Sequence, residues 1–228
     1  MAEAAWRWVL DQVRWVDGPW IPGTVTLPEV THPPWDRDGM HSGVGGLAHV
    51  LAEIRLARPW TVEENALAGA IADRVRDAVR GQTDATFFDG LVSTVGVLTA
   101  LQVPGTGAAV DRLATLATPD GWPQTAVGPP RYLPDARIHD VTLGTAGVLL
   151  AALWARRLGV ADARALAEHA AGVLMADAEK VPSGTNWRMV PPRFHTDPPG
   201  VQMPTCRTAW PASPRHLLSP ARSSAVPT

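Results

Sequence analysis

The chain has 228 residues, enough for one sizeable domain, and a hydrophobic content of 46% supplies a core for it. Twenty basic residues against 22 acidic give a net charge of −2, which leaves no electrostatic footprint for nucleic acid or an anionic membrane surface. The single cysteine, Cys206, excludes an internal disulfide framework, and no apolar run reaches the ~18 residues needed to cross a bilayer. The N-terminus lacks the basic and apolar regions of a signal peptide, so a cytoplasmic location is expected.

In chain order, residues 3–16 predict a helix, with Trp6, Val9, Leu10 and Val13 at helical spacing. Residues 18–39 are rich in Gly and Pro and read as a connecting loop, pinned to the body by Trp20 and Trp35. At Gly43-Val-Gly-Gly-Leu-Ala48 two glycines three apart lead into an apolar helix expected over 45–56. Its partner, over 62–79, opens with a capping box between Thr61 and Glu64, carries Leu67, Ile71, Val75 and Val79 on one stripe, and turns Glu63, Arg74, Asp77 and Arg80 to water. A second copy follows at Phe88-Asp-Gly-Leu91, with Gly90 in the place of Gly43 and Ser93 in that of Gly46, leading a helix over 90–102 and a partner over 107–117. The third copy is His139-Asp-Val-Thr-Leu-Gly-Thr-Ala-Gly147. It leads a helix over 145–157 that is apolar on every face down to Trp154 and so should be enclosed by protein, and then an amphipathic helix over 162–178 capped by Asp162.

A glycine-led apolar helix thus alternates with an amphipathic one three times, at spacings of 47 and 54 residues between Gly43, Gly90 and Gly144. That period indicates stacked helical hairpins. No segment shows strand alternation, so the expected class is all-α. After Lys180 the character changes, with ten prolines in the last 48 residues against twelve in the first 180. We therefore divide the chain into a hairpin domain over 1–180, a Pro-rich connecting segment over 181–203 and an irregular tail over 204–228.

The three motifs, together with Trp187-Arg-Met-Val-Pro191, resemble the lanthionine synthetase C-like family. The resemblance covers roughly residues 1–203 and implies a partial (α/α)6 toroid, about three of six hairpins, with the glycine-led helices inside. It implies chemistry in which a cysteine thiol adds to a dehydroalanine or dehydrobutyrine of a peptide substrate to form a thioether. In the family a zinc ion held by two cysteines and a histidine of later hairpins binds the thiolate, and an aspartate before the third Gly-x-x-Gly moves the proton. Asp140, four residues before Gly144, matches that aspartate. No residue matches the zinc ligands, so no metal is expected in this chain and the resemblance leaves its status as an enzyme uncertain.

Residue by residue, structural readings stand beside these. Asp140 can cap a helix. His41, His49 and His139 read as satisfied polar residues, and His195 and Cys206, eleven apart in a Pro-rich stretch, lack metal-ligand spacing. The tryptophans Trp6, Trp8, Trp15, Trp20, Trp60, Trp122 and Trp154 read as packing. A non-catalytic peptide-binding helical module is the competing function. Other α/α toroids, such as terpene cyclases and glycosidases, need acidic clusters that are missing from the sequence.

The tail carries its own expectation. The family's fourth hairpin opens with Ser-His-Gly-x-x-Gly shortly after the position of Met203, where this chain reads Pro204-Thr-Cys-Arg-Thr-Ala-Trp-Pro-Ala-Ser-Pro214. Codons for that string, regrouped from the third base of the Pro204 codon, can spell Asn-Leu-Ser-His-Gly-Leu-Ala-Gly-Ile-Ala. A frameshift near Met203 is therefore expected, with a disordered tail beyond it. Nucleotides that encode no Cys and His motifs in any downstream frame would refute this. Three hairpins of a six-hairpin ring would also leave apolar inner surface open to water.

Overall fold

The computed structural model describes residues 2–24, 33–34 and 36–196, so the expectations for Trp35, Cys206 and the tail lie outside the described residues. Among the described residues seven helices carry the fold: α1 (Ala2–Gln12), α2 (Gly45–Ala57), α3 (Val62–Ala78), α4 (Leu91–Leu101), α5 (Thr106–Leu116), α6 (Thr145–Arg157) and α7 (Ala163–Ala176). The chain is mainly helical, as the apolar periodicity requires. Among the described residues no helix is long and apolar enough to cross a membrane.

The glycine-led helices α2, α4 and α6 lie side by side in chain order, and α3, α5 and α7 pack back on them. Two cores result. One joins α1, α2, α3 and the Val97, Leu98, Leu101 edge of α4; the other joins Leu91, Val92 and Val95 of α4 to α5, α6 and α7. The helix enclosed on all sides is α4, whose residues from Leu91 to Leu98 are all buried. The expectation that α6 is enclosed is corrected: Ala151, Ala152 and Ala155 are buried against the body, but Leu153 is 41% exposed and Leu149, Leu150 and Trp154 are only partly covered. The reason is position, since among the described residues α4 has a hairpin on each side of it and α6 has one only on the α4 side. Apolar periodicity reports a face that can be buried, not whether the chain supplies a neighbour for it.

Local structure departs from the sequence reading at a few points. Helix α1 ends at Gln12 rather than at 16, because Arg14 and Trp20 exchange backbone hydrogen bonds of 2.8 and 2.9 Å across a turn with Asp17 and Gly18 at positive φ. Val13 is still buried with Trp6 and Leu10, and Trp20 is almost wholly enclosed. Trp8 and Trp15, by contrast, are exposed and do not pack. Arg74 does not face water but clamps Asp38 with two bonds of 2.7 and 2.8 Å. Asp162 is not a cap: its backbone is already helical and its side chain makes no cap bond. The absence of strands is corrected by one short hairpin, β1 (Glu179–Val181) paired antiparallel with β2 (Gly184–Asn186), which turns at Gly184 with φ of 131°. Three-residue strands are too short for alternation to register in a sequence.

The Pro-rich stretch beyond β2 packs on the third hairpin. Ala136, Ile138, Val190 and Phe194 form a small core, Leu133 N–H and His139 N–H donate to the carbonyls of Phe194 and Met189 at 2.8 Å each, and the Trp187 indole N–H donates to the Leu174 carbonyl at 2.7 Å.

Candidate functional site

Each glycine-led helix is entered through the same backbone joint. Val44, Leu91 and Thr145 donate their N–H groups to the carbonyls seven residues back, those of Arg37, Asp84 and Ile138, at 2.8, 2.9 and 3.0 Å. The residue before each donor is glycine because the returning loop leaves no room for a side chain. A Cβ on Gly43 would stand 2.2 Å from the Arg37 oxygen, one on Gly90 2.6 Å from that of Asp84 and one on Gly144 2.0 Å from that of Ile138. Gly46 and Gly147 face the carbonyls of Met40 and Val141 in the same manner. Where Ser93 stands instead, its hydroxyl accepts a bond from Met40 N–H at 3.1 Å. These joints place a short loop at the mouth of each helix, and the candidate residues sit on those loops.

On the third loop, Asp140 is half-buried, and its Oδ1 accepts the Leu143 N–H at 2.7 Å. That bond closes the loop turn before α6 but is not a helix cap, since the N-cap of α6 is Gly144 and takes no side-chain bond. The Oδ2 of Asp140, at the positive end of the helix, has no protein partner among the described residues.

Sequence reasoning missed the neighbouring network. His139 is buried, and its Nε2 lies 2.6 Å from Asp177 Oδ2, at the end of α7. Asp177 Oδ1 accepts from Arg193, whose other arm reaches Asp120 at 3.0 Å. The other ring nitrogen of His139, Nδ1, is buried with no partner among the described residues. The network ties the third loop, α7 and the 187–196 stretch together across 38 and 16 residues of sequence. No local pattern announces contacts of that range.

A cleft of about 320 Å³ opens between the C-terminus of α3 and the N-terminus of α4 and is lined by residues that include Asp36, Asp38, Asp84, Asp89 and Ser93. Arg74 neutralises Asp38, while burial pushes the Asp89 carboxyl above its usual range and the charges of Asp36 and Asp84 push it further. Asp89 belongs to the Phe88-Asp-Gly motif, where the position before the glycine was the only signal for it.

Among the described residues no three His, Cys, Asp or Glu side chains converge as a metal site. The described histidines are occupied locally: His41 beside Ser42 and Phe88, His49 on Met40 Sδ, His169 on the Thr118 carbonyl and His195 on the Val190 carbonyl. Searches against protein-family models, curated proteins and solved structures find no match to this chain.

Proposed function

We propose that the chain is a lanthionine synthetase C-like protein whose three hairpins form an arc of an α/α toroid. In this reading they offer a dehydrated, cysteine-containing peptide one proton-transfer group, Asp140, without the metal that activates the thiol. The observation that carries the reading is the thrice-repeated joint at Gly43, Gly90 and Gly144, with a carboxylate at the mouth of the third helix and one of its oxygens free. Addition of a thiol to a dehydroamino acid leaves an enolate to be protonated, and a carboxyl group at a helix N-terminus can deliver that proton. Thiol activation needs a soft cation, and the single cysteine favours a chain that binds peptide but does not cyclise it alone.

Incubated with a dehydrated, cysteine-containing peptide and added zinc, the purified chain is expected to leave every peptide thiol free to alkylation, counted by mass spectrometry. Zinc-bearing hairpins of a lanthipeptide cyclase supplied in trans should restore thiol consumption, and Asp140→Asn should remove it again. Asparagine keeps the bond to Leu143 N–H, so this variant should lose less than about 0.5 kcal/mol of stability, whereas Asp140→Ala should lose about 1 kcal/mol. One zinc per chain retained through dialysis, or thioether formed by the chain alone, would overturn the reading of the metal.

A further inference from the structure

One bond between successive hairpins repeats, and among the described residues each end of the series holds an unused half of it. At the N-terminal rim, the N–H three residues before the leading glycine donates to the carbonyl two residues before the next one: Met40 to Phe88 at 2.6 Å, then Phe87 to Thr142 at 2.8 Å. Val141 holds that donor position in the third hairpin and has no backbone acceptor among the described residues, and the matching acceptor in the first hairpin, the His41 carbonyl, has no backbone donor among them. At the opposite rim Arg55, twelve residues after Gly43, donates to the α4 carbonyls of Leu101 and Ala100 at 3.0 and 3.3 Å. Its counterpart twelve residues after Gly144 is Arg156, an exposed guanidinium with no side-chain hydrogen bond or ion pair among the described residues.

The apolar positions follow the same register. Seven residues after the leading glycine, Val97 and Ala151 are buried toward the preceding hairpin, while the equivalent Val50 is 42% exposed. Nine residues after it, Ala52 and Thr99 are largely covered, while Leu153 is 41% exposed. At the second junction the position twelve residues after Gly90 is Gln102, so the arginine contact belongs to the first junction alone, while the N–H to carbonyl bond is common to both. The open face of α6 therefore presents the donor of that common bond with an arginine placed as in the first junction, and the open face of α2 presents the acceptor.

We propose that these two faces are one interface, on which the α6 end of one copy of this chain docks against the α2 end of a second copy. The occupant is identified by register, since the docked surface must bring a glycine-led helix start with an unused carbonyl and an apolar residue at the Val50 position. A second copy brings both. The contact is heterologous, the donor face on one copy and the acceptor face on the other.

The test uses the full chain with two sets of variants: Leu153→Asp and Arg156→Glu, singly and together, on the donor face, and Val50→Asp on the acceptor face. By light scattering at about 100 µM, the wild type should run as an integral multiple of 24.3 kDa, and each face-blocked variant should fall to a single copy with its helical circular dichroism intact. Mixing the donor-blocked and acceptor-blocked variants restores one junction, so the mixture should give a two-copy complex that neither forms alone. A monomeric wild type would overturn the proposal and turn attention to the chain's own residues 197–228 as the cover for α6. Association that survives in either blocked variant, or a mixture that stays monomeric, would overturn it as well. Arg156→Glu alone, at an exposed site, keeps the test valid where the aspartate variants fold poorly.

Discussion

Gly144→Ala is expected to destabilise the chain by more than about 3 kcal/mol and to take the third hairpin with it. The added Cβ would stand 2.0 Å from the Ile138 oxygen and 2.4 Å from its carbon. Neither atom can withdraw cheaply, because the same carbonyl accepts the Thr145 N–H that starts α6, and the loop behind it anchors His139 to Asp177 and to the Met189 carbonyl. Gly43→Ala should act alike at the Arg37 carbonyl. The contrast is with Gly69 and Gly172, which lie inside α3 and α7 with nothing within 4 Å of a built Cβ. Alanine at either should stabilise by about 0.5–1 kcal/mol, since it narrows the unfolded ensemble and suits a helix interior. Urea melts followed at 222 nm separate the two groups. Equal effects at Gly144 and Gly172 would show that the joint at Ile138 is not as close as described.

These glycines also show what a sequence displays and what it does not. The leading glycines, the capping box at Thr61 and the apolar stripes fixed the seven helices to within a few residues, because each depends on neighbours within one or two turns. The extent of α1 was misjudged because the pairing of Arg14 with Trp20 competes with helix continuation. The enclosure of α6 was misjudged because it depends on what lies beside Leu153 and Trp154, not on the residues themselves. Asp140 was legible by its place before a glycine-led helix, and the structure adds that one oxygen is engaged in closing the turn. The His139–Asp177–Arg193 network and the Asp89 cleft were not legible, since their members are assembled from separate hairpins. The acidic cleft is informative in another way. The chain has a carboxyl raised by burial at the second helix mouth as well as a free carboxylate oxygen at the third, so repetition of the joint brings acidic groups to more than one loop.

The second large effect is expected at Glu64, which closes the capping box of α3 and is buried beneath α1. Its carboxylate accepts two bonds from Arg58 at 2.8 and 2.9 Å, one from the Trp6 indole N–H at 2.7 Å and one from Thr61 N–H at 2.7 Å. These partners, Arg58 foremost, hold its carboxyl down to about 2 from the ordinary 4.5 against the opposing effect of burial. Because the folded state binds the proton more weakly than the unfolded one, the contribution is fully present above pH 4.5 and is lost as pH falls toward about 2. At 1.36 kcal/mol per pH unit the shift corresponds to about 3 kcal/mol at most, and the 30% exposure of the Arg58 side chain reduces this through solvent screening to about 1–2 kcal/mol. Glu64→Gln preserves the shape and an acceptor for Thr61 N–H but removes the charge that Arg58 binds. The variant should be less stable than the wild type by that amount at pH 7, and the gap should close by about pH 2, where the wild-type carboxyl takes up its proton. Urea melts of both proteins at the two pH values give the double difference, in which every other titrating group cancels. A gap that stays constant with pH would mean that Glu64 contributes through packing and capping alone, and that the charge shared with Arg58 adds nothing to the attachment of α1 to α3.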